Sequence, residues 1–158
     1  MISIDFLNNQ EEFDTKPFEE IVLKVAKEAF RIHNIEKEAE ISVVFTDDEE
    51  IKEINNNFRD IDSSTDVLSF PQYEFFEEGD ISHITDNVLI LGDVIISLEH
   101  AKAQSVEFNH SMNREVGYLT AHSILHLLGY DHLEEEEKAR MRQKEEQIMT
   151  NIKLTRED

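Results

Sequence analysis

Apolar residues alternate at the start of the chain, with Ile2, Ile4 and Phe6 on one side, which is the period-two signature of a half-buried strand. The period then lengthens. Phe18, Ile21, Val22, Val25, Ala29 and Ile32 recur at helical spacing behind Pro17, and a proline is tolerated in the first turn of a helix, where its missing N–H has no partner to lose. The boundary of this helix falls at Thr15 or Lys16. Glu40 to Phe45, carrying Ile41, Val43 and Val44, reads as a second strand. Thr46-Asp47-Asp48-Glu49 then reads as a capping box opening a short helix that buries Ile51 and Ile54.

Asn55 to Ser64 is dominated by residues that hydrogen-bond their own backbone, so it predicts the end of that helix and a loop. Thr65 to Pro71 predicts a short strand stopped by the proline, which a sheet tolerates best at its edge. Residues 72–87 form an acidic excursion, expected to be mobile. Val88 to Ser97 is the most apolar strand and is therefore expected at the centre, with Gly92 marking a bulge or a close backbone approach. Ser97 can cap a helix running to about Phe108, and a longer helix from about Ser111 carries Val116, Leu119, Ile124, Leu127 and Leu128 around much of its circumference. Glu134 to Glu137 open the last helix as a solvated start, where negative charge meets the positive end of the helix dipole.

A strand, a crossover helix and a second strand favour a right-handed parallel unit. The expected fold class is α/β (α+β), a small mixed, mostly parallel sheet of about four strands packed with about five helices. No repeat or interdomain linker interrupts the chain, and 158 residues suffice for one domain, 1–158, with its own core.

Charge and composition then narrow the function. Fifteen Lys and Arg against thirty-six Asp and Glu leave a net charge of -21, which argues against a generic DNA- or RNA-coating protein and confines any nucleic-acid contact to a local site. No cysteine is present, which excludes disulfides, thiolate zinc sites and cysteine nucleophiles and fits a reducing cytoplasm. The N-terminal segment lacks the basic and apolar regions of a signal peptide, and no run is long and apolar enough to span a membrane, so a soluble protein without a membrane partner is expected.

The chemistry concentrates at His122-Ser123-Ile124-Leu125-His126-Leu127-Leu128-Gly129-Tyr130-Asp131-His132. His122 and His126 share a helix face one turn apart, and Gly129 suits the left-handed residue that ends a helix and turns the chain back, returning His132 toward them. The spacing suggests a three-histidine metal site at the end of a core helix. The bland alternative is a polar helix end with solvated or backbone-bonded histidines. Neutral imidazoles favour Zn²⁺, with Ni²⁺, Cu²⁺ and Fe²⁺ also compatible. Three protein ligands leave a fourth position for water, as hydrolytic zinc sites do, whereas a closed structural site would need a further ligand such as Asp131 or a distant carboxylate. A zinc peptidase of the H-E-x-x-H kind is disfavoured, because Ser123 stands where the general-base glutamate would be.

The stretch from His122 to His132 resembles the H-G-x-L-H-L-x-G-Y-D-H signature of the YbeY family of bacterial ribosomal-RNA maturation factors, single-strand-specific endoribonucleases. Asn55 to Pro71 resembles that family's N-x-x-[YF]-R-x-x-x-x-x-T-D-V-L-S-F-P block, and Leu91 to Ser97 its L-G-D-I-x-I-S block. The resemblance implies one Zn²⁺ on His122, His126 and His132, with Arg59 as the functional arginine. A guanidinium can hold a phosphodiester bidentately and offset developing charge, although Arg59 by itself would read as a surface residue paired with Asp60 or Asp62. Thr65 and Asp66 could orient Arg59 or the groups behind the metal ligands, or simply build a turn. Asp131 could orient a ligand histidine or cap its turn. The family's usual glycine is Ser123 here, and its small size is expected to tighten packing rather than remove the metal site.

The implied function is metal-dependent cleavage of single-stranded RNA in ribosomal RNA maturation and ribosome quality control. The implied partners are rRNA, a ribosomal subunit or ribosomal proteins, with no DNA. The competing readings are a non-catalytic ribosome-assembly factor with a structural metal and a zinc hydrolase with another substrate. His33, His83, His100 and His110 fall outside the motif and are assigned to surface or core polar roles.

Overall fold

The computed structural model describes residues 1–154. The elements run β1 (Ile2–Asn8), α1 (Lys16–Ile32), β2 (Glu38–Thr46), α2 (Asp48–Arg59), β3 (Val67–Pro71), β4 (Val88–Ser97), α3 (Leu98–Glu107), α4 (Met112–Leu127) and α5 (Glu135–Asn151). The four strands form one sheet in the order β1-β2-β4-β3. β1, β2 and β4 are parallel, whereas β3 runs antiparallel to β4. The mostly parallel sheet, the central β4 and the edge position of the proline-terminated β3 are as the patterning predicts.

Alternation assigns each strand two faces. Ala39, Ile41, Val43 and Phe45 of β2 join Leu89, Leu91, Val94 and Ile96 of β4 in the main core beneath α1, α4 and α5. Leu91 and Val94 are three residues apart and would point to opposite faces of an unbroken strand. A bulge restores the phase: Glu40 pairs with Ile90 and Ile41 with Gly92, so Leu91 is an extra residue. Gly92 serves both functions expected of it. Its φ is 140°, and a Cβ there would lie 2.1 Å from the Phe70 carbonyl oxygen. On the opposite face, Ile51 of α2 packs with Leu68 of β3 and Ile95 of β4 in a smaller cluster.

α4 is the helix around which the layers assemble, touching α1, α3, α5, β3 and β4. That explains a helix apolar nearly all round. Among the described residues, no helix is long and apolar enough to cross a membrane.

Local predictions shift at three places. The second helix does not end near Asn55. It continues to Arg59 and stops at Asp60, whose φ is 58°. Asn55 falls one turn after the buried Ile51 and is itself buried, and its amide donates to the Ser63 carbonyl at 3.0 Å, so its hydrogen-bonding capacity serves tertiary structure rather than a turn. The cap of α2 is one residue later than the sequence suggests, since the Asp47 carboxylate accepts from Glu50 N at 2.9 Å and Thr46 Oγ1 donates to the Glu50 carboxylate. Residues 72–87 contain neither helix nor strand but are anchored, with Gly79 N donating to Leu128 O at 2.8 Å and Ile84 buried.

Candidate metal centre

The last turn of α4 brings His122 and His126 to one face, and the chain reverses immediately after it. Gly129 N donates to His126 O and Tyr130 N to Leu125 O, both at 3.0 Å. These two bonds satisfy carbonyls that the helix end would otherwise leave open. Gly129 adopts a φ of 95°, and a Cβ there would lie 2.5 Å from Cβ of Phe75. The reversal delivers His132. Ring centroids lie 4.6 Å apart for His122 and His126, 5.4 Å for His122 and His132, and 4.9 Å for His126 and His132. One nitrogen from each ring lies within 4.8 Å of the others, a grouping able to hold a metal ion.

Hydrogen bonds behind the rings decide which nitrogens those are. Nδ1 of His126 donates to the Tyr130 carbonyl at 2.9 Å, and Nδ1 of His122 donates to the Glu145 carboxylate at 2.5 Å. A carbonyl and a carboxylate only accept, so each Nδ1 carries a hydrogen, and in the neutral imidazole, the form that binds metals, each Nε2 presents a lone pair. The two Nε2 atoms face one another at 3.1 Å. Two neutral rings held this way repel through their lone pairs, and a proton or a metal cation between the nitrogens removes the repulsion. Tetrahedral Zn²⁺ with bonds of about 2.0–2.1 Å separates its ligand nitrogens by about 3.4 Å, so the donor set fits the ion. Burial holds the His126 imidazole down to about 4, which keeps it in the neutral form that binds metals.

Glu145, which motif reading misses, comes from α5. It is 3% exposed, and its second oxygen accepts from the Tyr118 hydroxyl at 3.1 Å. Burial pushes the Tyr118 phenol up to about 12, so it remains a donor. The sequence does carry a signal: Met141, Glu145, Ile148 and Met149 form one helical stripe, and the other three are core residues.

The remaining candidates are placed differently. Arg59 is exposed at the end of α2, and no carboxylate lies within 4.0 Å of it among the described residues. Asp62 instead sits 4.0 Å from Lys52 Nζ. Phe58 packs edge-on against Phe70 at 5.8 Å, while Ser69, the preceding residue of β3, meets Ser123 of α4. Neighbouring strand residues point to opposite faces, so α2 and α4 approach the edge strand from opposite sides. The histidines converge with each other at the end of α4, whereas Arg59 is carried by the end of α2. Asp66 accepts from Val67 N, Thr65 Oγ1 and Gln104 Nε2, tying the start of β3 to α3. Asp131 caps its turn, accepting from His132 N at 2.7 Å while its carboxylate stands 3.9 Å from His132 Nδ1. Ser123 is fully buried, its hydroxyl 2.5 Å from that of Ser69. His33, His83, His100 and His110 are engaged elsewhere, with Tyr130 and Ala29, Glu74, Asp48 and Glu115 respectively. The acidic run opens α5 as an exposed helix start, as expected, and Glu134 and Glu137 additionally form a capping box there.

Fold and centre together define a mixed α/β protein with a three-histidine group able to hold a metal ion at the end of its central helix. Residues 3–153 match the profile of the endoribonuclease YbeY family, and the chain belongs to that family. It is 48% identical to the endoribonuclease YbeY of Clostridium perfringens, with 99% of both chains covered. To that of Thermoanaerobacter sp. it is 47% identical, with 94% of this chain and 96% of the relative covered. The solution structure of TM1509 from Thermotoga maritima is similar with a TM-score of 0.59 at 25% identity, covering 97% of this chain and 92% of that one.

Proposed function

We propose that this chain, acting as a single domain, is a metal-dependent endoribonuclease that cleaves single-stranded RNA during ribosomal RNA maturation and quality control in the cytoplasm. His122, His126 and His132 are the ligands of one Zn²⁺, and Arg59 is the catalytic cation. When bound, the ion would polarise the phosphodiester or activate water for attack. The protein's share is orientation: Tyr130 O and Glu145 hold two ligand rings by their Nδ1 atoms, leaving the Nε2 lone pairs converging. Arg59, exposed and without an ion-pair partner among the described residues, is available to hold a phosphate oxygen and offset its growing charge.

The observation that carries this reading is the convergence of His122, His126 and His132, with two Nε2 atoms 3.1 Å apart, in a member of an endoribonuclease family. The test is cleavage of a single-stranded RNA by the parent, His126→Ala and Arg59→Ala, with folding checked by circular dichroism. Loss of activity in His126→Ala and a loss of about a hundredfold or more in Arg59→Ala are expected. A folded, metal-free His126→Ala protein that cleaves as well as the parent overturns the proposal. The net charge of -21 favours one other reading, an assembly factor that contacts a ribosomal subunit or its proteins with a structural metal. Metal-independent ribosome binding without cleavage by the parent would select it.

A further inference from the structure

We infer that Glu145 is a positioning residue of the metal centre, fixing the tautomer and orientation of His122 and supplying the buried negative charge that balances the ion. The inference rests on reading His122, His126 and His132 as ligands, but its evidence lies outside those three residues. Glu145 is 3% exposed in the middle of α5, on a stripe otherwise made of Met141, Ile148 and Met149. A carboxylate at such a position requires compensation. Among the described residues, no Lys or Arg lies within 4.0 Å of it, and the one basic side chain at that range is His122. One oxygen takes the His122 Nδ1 hydrogen at 2.5 Å and the other takes the Tyr118 hydroxyl at 3.1 Å, so both carboxylate oxygens are used and the group cannot rotate freely.

This arrangement imposes direction. With Nδ1 committed to Glu145, Nε2 of His122 must present its lone pair to Nε2 of His126, and the imidazole becomes a stronger donor because a negative charge stands behind it. Tyr118 contributes one step further out, since its hydroxyl holds the carboxylate and not the histidine. α5 thereby becomes part of the metal centre without supplying a ligand, and occupancy of the site is coupled to docking of α5 on α4. The coupling has a sign. When the ion is present, the charge of Glu145 is balanced through His122. When it is removed, the carboxylate has no metal cation beside it.

The experiment measures dissociation constants of Zn²⁺ by chelator competition, and the visible spectrum of bound Co²⁺, for the parent chain, Glu145→Gln, Glu145→Ala and Tyr118→Phe. Melting at pH 8 is followed with and without the metal. Weakening of about 10–100-fold is expected for Glu145→Ala, a smaller loss for Glu145→Gln, which keeps an acceptor oxygen, and a few-fold loss for Tyr118→Phe. Glu145→Gln is further expected to lose more melting temperature with the metal than without it. Glu145→Gln keeps the test decisive if the alanine variant does not fold. Affinity within twofold of the parent in Glu145→Gln and Tyr118→Phe, or an equal drop in melting with and without metal, overturns the positioning role while leaving the ligand assignment intact. A folded parent that binds neither Zn²⁺ nor Co²⁺ overturns the ligand assignment and this role with it.

Discussion

Gly129→Ala strikes the hinge on which the three histidines depend. Two costs can be separated. The first is the backbone: at a φ of 95° an L-residue sits in the left-handed half of conformational space, which costs about 1–2 kcal/mol. The second is steric. The new Cβ would stand 2.5 Å from Cβ and 2.7 Å from Cγ of Phe75, closer than carbon atoms approach, and forced repacking of this kind costs about 1–3 kcal/mol. Their sum is about 2–5 kcal/mol, which for a chain of this size lowers the melting temperature by about 4–20 °C. The carbonyls of Leu125 and His126 take their turn hydrogen bonds from Tyr130 and Gly129, so the strain also reaches the path that returns His132, and weaker Zn²⁺ binding should accompany the lost stability. Chemical unfolding of Gly129→Ala, Phe75→Ala and the double variant separates the two costs. Removing the Phe75 ring beyond its Cβ should relieve part of the steric cost but none of the backbone cost, so the double variant should be more stable than the sum of the single losses predicts, by about 1 kcal/mol or more. A single variant within about 1 kcal/mol of the parent and with unchanged Zn²⁺ affinity would refute the role assigned to this turn.

Two other perturbations test the surroundings of the centre. Ser123→Gly leaves the Ser69 hydroxyl without its 2.5 Å partner and puts glycine inside a helix, so a loss of about 2–3 kcal/mol in urea unfolding is expected. The paired change Ser69→Ala with Ser123→Ala should cost less than that, because neither hydroxyl is then left alone, and unchanged Zn²⁺ affinity in both proteins would confirm that Ser123 acts in packing. His33 is held below its ordinary value chiefly by burial, with Nδ1 donating to Ala29 O and Nε2 accepting from the Tyr130 hydroxyl. The unfolded chain therefore takes up this proton near pH 6.5 while the folded one resists it, so the stabilisation is present above that pH and fades as pH falls. In chelator, His33→Gln should lose less stability than the parent between pH 7 and pH 5. Equal losses would show that His33 does not contribute to the acid sensitivity.

What the sequence makes legible is governed by how far each interaction reaches along the chain. The turn from His122 to His132 is local, so helical spacing and one glycine suffice to predict that the rings converge. The bulge at Gly92 is local in cause, because two apolar pairs on β4 share a face only if the strand slips phase between them. Asn55 misleads for the opposite reason: its amide could have closed a turn on its own backbone, yet it reaches Ser63 after the helix has continued past it. The same limit hides the second layer of the centre. Glu145 stands among Lys144, Glu146 and other charged neighbours that read as a solvated helix, and only its place on the stripe with Met141 and Ile148 marks it as inward. Its partner His122 is 23 residues away on another helix. A histidine cluster built within one short stretch of chain is thus readable from spacing, whereas the groups that orient it become visible only when α5 is laid against α4. The physical trace they leave in sequence is a charge where the pattern calls for a hydrophobe.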